Sequence, residues 1–231
     1  MEAAPTPRGP MRLRVELTEA EHDECVALAA ARTDGGNARG QGEGTQTSES
    51  HSGSEVDLAG VEGEWAFSKG ALPEFQRPRG AGVDTGWDFW LPGFEIDVKT
   101  ALGPNRNFLV AEGRELTAQA GVHVERLSCR SEGADGCVFL IVGWVLSWEW
   151  RQFHVDAGAV FDGLSGSLYW RHYLRTIDTF LPWLESKGVL AETLTVEGTE
   201  SMPEGGLIEV DDEMPVARAK AIRAAEIGVV W

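Results

Sequence analysis

The stretch Gly86-Trp-Asp-Phe-Trp-Leu-Pro-Gly-Phe-Glu-Ile-Asp-Val-Lys-Thr100 decides how this chain folds. Pro92-Gly93 reads as a tight turn: Pro fixes φ at the first central position and Gly allows a positive φ at the second. With those two residues as the loop, Leu91 faces Phe94, Trp90 faces Glu95, Phe89 faces Ile96 and Asp88 faces Asp97. Side chains alternate along a strand, so Trp87, Phe89, Leu91, Phe94, Ile96 and Val98 form one apolar face. The other face carries Asp88, Trp90, Glu95, Asp97 and Lys99.

Two carboxylates opposite each other on a ladder repel. Water, a shared proton, the Lys99 ammonium or a bound cation would have to offset them. Hard divalent cations take carboxylate oxygens and keep several waters. Two acids, a lysine and such a cation suit phosphodiester hydrolysis. The same letters also describe an amphipathic hairpin whose polar face is merely solvated.

The chain has 231 residues, enough for one full domain with appendages, and a net charge of -17. Such acidity argues against broad attraction to nucleic acid, although a local basic rim or a bound metal reverses the field at a site. Cys25, Cys129 and Cys137 show no CxxC spacing and read as buried reduced thiols, neither a zinc site nor a disulfide framework. His22, His51, His123, His154 and His172 show no HxH, HExxH or HxxE pattern and read as surface or cap residues. MEAAPTPRGPMRLRV has no apolar signal core, and the run Cys137–Leu146 is too short to span a bilayer. These features lead us to expect a cytoplasmic protein without membrane association.

Outward from the hairpin, MRLRVEL (11–17) alternates as a strand, and Thr18-x-x-Glu21 is a capping box opening a helix to about Arg32. Residues 33–54 are polar and small and read as a flexible linker. Ser54-x-x-Asp57 opens a second helix to about Lys69, in which Gly60 and Gly63 point to close packing against another element. A short strand is expected at 107–110, a helical turn at 114–120, and a buried strand at 136–146 with a bulge or bend at Gly143. Residues 147–155 read as a further strand or strand pair, and 169–187 carries helical spacing in which Pro182 starts a new segment or kinks the helix. A last helix falls at 216–226, after an acidic run at 209–213. Tryptophans crowd between Trp144 and Trp183, as core, subunit interface or a base-stacking surface. The expected organisation is an N-terminal strand and helix (1–32), a linker (33–54), a core domain (55–190) and an acidic extension (191–231). The interleaved helices and antiparallel hairpin predict an α/β (α+β) class with a mixed sheet and flanking helices.

From about Val56 to Val145 the chain resembles the PD-(D/E)xK nuclease superfamily, the restriction-endonuclease-like fold, and small nuclease-like proteins of phages and bacteria. Glu64 in GVEGEWA resembles the family's helix acid, Asp88 in GWDF the first hairpin acid, and Asp97 and Lys99 in IDVKT the acid-x-lysine pair. No Pro precedes the first acid, and Asp84 competes with Asp88. The resemblance implies a metal-dependent DNA nuclease using Mg²⁺ or Mn²⁺. Asp88 and Asp97 would be ligands, Val98 would offer its carbonyl, Glu64 would bind the metal or a water, and Lys99 would orient the attacking water. Glu95, on the same face, would be an additional ligand, a rim acid or simply a solvated surface acid beside Trp90. Arg77, Arg79, Arg106 and Arg114 flank the hairpin in sequence and read either as scattered surface arginines or as charges that would neutralise DNA phosphates; a homodimer is compatible. A phage-encoded chain would act in the host cytoplasm. The rival expectation is a catalytically silent nuclease-fold module that binds or assembles with another protein.

Overall fold

The computed structural model describes residues 12–38, 53–72, 87–112, 114–129, 133–134, 136–161 and 166–190. The core is a five-stranded mixed sheet in the order β1-β6-β5-β3-β2, an α/β arrangement with helices packed on it. β1 is Leu13–Leu17, β2 Phe89–Leu91, β3 Phe94–Leu102, β5 Ala120–Ser128 and β6 Cys137–Leu146. β3 and β5 run parallel and the other pairs are antiparallel. A smaller, separately hydrogen-bonded sheet of β4 (Phe108–Val110), β7 (Val155–Asp156) and β8 (Ser167–Tyr169) has the order β4-β8-β7.

The hairpin forms in the expected register, with Phe89 on Ile96, Trp90 on Glu95 and Leu91 on Phe94, around a Gly93 at φ 71°. Phe89, Leu91, Phe94, Ile96 and Val98 are all buried. They face a helical layer of α1 (Glu19–Ala38), α2 (Gly53–Ala71) and α5 (Phe180–Ser186). Phe67 of α2 meets Phe89 and Phe180 edge-on at 5.5 and 5.7 Å between centroids, and Phe94 meets Trp183 at 5.4 Å. Such aromatic pairs add about 0.5–1.5 kcal/mol each beyond the area they bury. Trp144 sits fully buried against Phe180 and Trp183, so much of the tryptophan cluster is core. The opposite face of the sheet is covered by a second apolar cluster that includes Phe108, Leu116, Val142, Trp150 and Tyr169.

The capping box is present: Thr18 N–H donates to Glu21 Oε2 (2.7 Å) and Glu21 N–H to Thr18 Oγ1 (3.3 Å). α1 runs past Arg32 to Ala38, into the expected linker. Thr33 explains part of this, because its hydroxyl donates to Asp57 Oδ2 of α2 at 3.0 Å and ties the two helices there. β1 pairs with β6 and α1 packs on α2, so the N-terminal strand and helix belong to the same core as the hairpin rather than to a separate unit.

Three other expectations change. The third strand of the sheet is β5, where a helical turn had been expected just before it, while β4 at 108–110 leaves the main sheet to pair with β8. Residues 147–153 form a helix, α3 (Ser147–Phe153), with Glu149 Oε2 accepting from the Leu146 N–H at 3.2 Å. The α-helix is confined to the end of 169–187: Pro182 lies in the first turn of a new segment, α5, rather than at a kink, since the amide it lacks has no intrahelical partner there. The bulge at Gly143 does occur: pairing jumps from His123–Gly143 to Val124–Ile141. The acidic run and the helix expected at 216–226 lie outside the described residues. Among the described residues no helix is long and apolar enough to cross a membrane.

The two α2 glycines differ. A Cβ at Gly63 would overlap the Thr100 side chain of β3, whereas one at Gly60 meets nothing within 4 Å. Helix propensity alone favours alanine at either position by about 0.5–1 kcal/mol. Overpacking costs about 1–3 kcal/mol and wins at Gly63. Urea denaturation is therefore expected to show Gly60→Ala stabilised by roughly 0.5–1 kcal/mol and Gly63→Ala destabilised by roughly 1–2 kcal/mol. Equal shifts in the same direction would contradict this packing.

Candidate active site at the hairpin edge

β2 is short, and its ladder with β3 stops at Phe89–Ile96. Beyond that point the edge of β3 is met by Asp88. The Asp88 N–H donates to Ile96 O at 2.8 Å, and Asp88 Oδ2 accepts from the Val98 N–H at 2.6 Å. The carboxylate thus takes the ladder position of the next β2 carbonyl. Asp88 was expected opposite Asp97 on the polar face; instead it turns into the plane of the sheet, because its side chain satisfies an amide that the short strand leaves over. Within a strand the N–H and C=O of one residue point to the same side. The Val98 carbonyl is accordingly directed to this same edge.

Asp97 and Lys99 keep the expected face, and Lys99 Nζ donates to Asp97 Oδ1 at 2.7 Å. Asp97 is buried while Lys99 is partly exposed. Glu64 arrives from α2, one residue after the glycine that lets α2 press on Thr100. Arg32 of α1 clamps it, with Nη1 donating to Oε1 and Nη2 to Oε2, both at 2.7 Å. Glu95 sits at the turn end, paired with Trp90. Asp84, Arg77 and Arg79 lie outside the described residues.

The four expected residues sense one another electrostatically. Burial, then the negative charges of Glu64 and Asp97, push the Asp88 carboxyl well above the usual carboxylate range, against the pull of Lys99 and the Val98 amide. Burial also raises Glu64, with Asp97 adding to it, while Arg32 and Lys99 oppose. Burial works against the charge of Arg32, but Glu64 and then Asp88 hold it and raise its pKa. Repulsion between the acids is therefore met by Lys99 on Asp97 and Arg32 on Glu64, while burial and the two neighbouring acids disfavour the charged form of Asp88.

A raised native pKa means the folded chain binds a proton that the unfolded chain has lost. The stability from this group is present at low pH and declines as pH rises above the ordinary aspartate range. In metal-free buffer, Asp88→Asn is expected to flatten that decline, as read from urea midpoints across pH. An unchanged slope would place the titration elsewhere.

Mg²⁺ typically uses one or two protein carboxylates and fills its shell with water. The all-oxygen set of Asp88, Asp97 and the Val98 carbonyl fits that demand, while both oxygens of Glu64 are engaged by Arg32. Among the described residues, one group of at least three His, Cys, Asp or Glu brings its ligand atoms within 4.8 Å of one another, and it lies elsewhere: His22, Glu62, Cys129 and Cys137. These four could hold a metal ion, which no cysteine or histidine spacing announced; the three cysteines are free and buried, as expected. Their side chains come from α1, α2, the residue after β5 and the start of β6, so no short spacing marks them. Arg32 was also missed, since nothing near it in sequence distinguishes it from other arginines. No protein family, curated protein or solved structure matches the chain.

Proposed function

We propose that the chain is a divalent-cation-dependent nuclease that hydrolyses phosphodiester bonds of DNA. The supporting observation is the β3 edge, where Asp88 accepts from the Val98 N–H and Asp97 pairs with Lys99, with a helix-borne Glu64 in electrostatic reach of Asp88 and Asp97, in the order of residues that the PD-(D/E)xK resemblance implies. In this reading Asp88 and Asp97 hold Mg²⁺ or Mn²⁺, which when bound neutralises phosphate charge and acidifies water. Lys99, partly exposed beside Asp97, orients the attacking water and stabilises charge on the phosphate. Glu64, fixed by Arg32, accepts a hydrogen bond from a water at the same edge. Exposed Arg106 and Arg114 offer local positive charge on a chain whose net charge is -17.

One observation favours the rival reading of a silent binding module: Arg32 already supplies a cation to Glu64. The two are separated by incubating the full chain with supercoiled plasmid and with single-stranded DNA, with and without Mg²⁺ or Mn²⁺. Metal-dependent cleavage that Asp97→Asn abolishes supports the nuclease. Intact DNA in every condition overturns it and leaves the module.

A further inference from the structure

The group formed by His22, Glu62, Cys129 and Cys137 lies in the layer between the helices and the sheet, away from the β3 edge. His22 Nδ1 is 2.7 Å from Glu62 Oε1 and 3.4 Å from Cys137 Sγ. Cys129 Sγ is 3.3 Å from Cys137 Sγ and 3.6 Å from Glu62 Oε1. Glu62, Cys129 and Cys137 are completely buried, and only His22 reaches partly to solvent, with 13% of its side chain exposed.

We infer that His22, Glu62, Cys129 and Cys137 form a four-ligand zinc site that fastens α1 and α2 to the β5–β6 pair. Tetrahedral zinc with bonds of about 2.0–2.3 Å sets its ligand atoms roughly 3.3–3.8 Å apart. The closest approaches here run from 2.7 to 3.6 Å, and all four atoms are within 4.8 Å of one another. A chain of hydrogen bonds needs neighbours in sequence along the chain to be close; it does not need all four atoms to surround one point. Donor chemistry selects the ion. Two sulfurs, one imidazole nitrogen and one carboxylate oxygen suit zinc, whereas the all-oxygen β3 edge suits magnesium. Four protein ligands leave no open position, which marks a structural rather than a catalytic site.

Charge is consistent as well. On binding, both thiols release protons, so zinc with two thiolates, one carboxylate and a neutral imidazole carries a net charge of minus one. Arg126, 3.6 Å from Glu62 Oε2 and buried, offsets it. Glu62 is two residues before Glu64 on α2. A metal at this point therefore fixes the helix that presents Glu64, but the site stands whether or not the chain cleaves DNA.

The full-length chain, purified without chelator, is assayed for zinc and titrated with Co²⁺ after zinc removal. We expect one zinc per chain, the intense visible bands of tetrahedral cobalt, and a sulfur-to-cobalt charge-transfer band in the near ultraviolet. Cys129→Ser and Cys137→Ser are expected to weaken zinc binding by at least about a hundredfold, while Cys25→Ser retains one zinc. Wild-type protein should melt at a lower temperature after chelation and recover on adding zinc, a readout that does not depend on a variant folding. A chain that holds no zinc and gives no tetrahedral cobalt bands overturns the inference. So does a Cys129–Cys137 disulfide that forms equally fast in the presence of zinc.

Discussion

Lys99→Ala is expected to lower Mg²⁺-dependent DNA cleavage by about two to three orders of magnitude, the usual cost of removing one donor aimed at developing charge. Lys99 Nζ lies 2.7 Å from Asp97 Oδ1, with 39% of its side chain exposed. As an ion pair alone, such a contact contributes about 1 kcal/mol or less. The effect on folding should therefore be small and the effect on rate large. Because Lys99 is a cation bonded to a proposed metal ligand, its loss should leave Mn²⁺ affinity unchanged or slightly raised. Cleavage lost together with Mn²⁺ binding would show that Lys99 shapes the site rather than serving the reaction. Cleavage at the wild-type rate would remove Lys99 from the mechanism.

Arg32→Ala carries the largest expected cost in stability. It leaves the Glu64 carboxylate buried without its two-pronged donor, and breaking such a pair costs about 3 kcal/mol. The same variant opens a place for another cation beside Glu64 and Asp88. Millimolar Mg²⁺ should restore part of the lost stability in Arg32→Ala and do less for the wild type, as read from urea midpoints. Equal response of the two proteins would mean that Arg32 does not stand where a metal can act.

The hairpin was legible because a Pro-Gly turn and strict alternation agree, and because Asp97 and Lys99 follow from the alternation alone. Asp88 was placed on the right strand end but in the wrong plane. Its orientation depends on where the ladder stops, and three residues of β2 pairing is a tertiary outcome. β5 was hidden by its own polarity. In AGVHVERLS, Val122 and Val124 alternate with His123 and Glu125, and Arg126 follows, all of them buried. Those charges are tolerated because Arg171 bonds Glu125 at 2.7 and 3.0 Å and the Arg106 N–H adds a bond at 2.8 Å. Such partners are distant in sequence and invisible to a binary pattern. Likewise, the His22 cluster joins residues 40 and 67 positions apart, beyond any local motif. α3 was mistaken for strand because its tryptophans alternate over four residues, too short a window to separate the two periods.

The most direct measurement is calorimetric titration of Mn²⁺ into wild-type protein and Asp97→Asn, at a pH above the ordinary carboxylate range. The His22 group is identical in both, so the difference between them reports the β3 edge. Binding by the wild type, and at least tenfold weaker binding by Asp97→Asn, is the predicted result. Identical isotherms for the two proteins, or no uptake by either, would contradict a cation site built on Asp88 and Asp97.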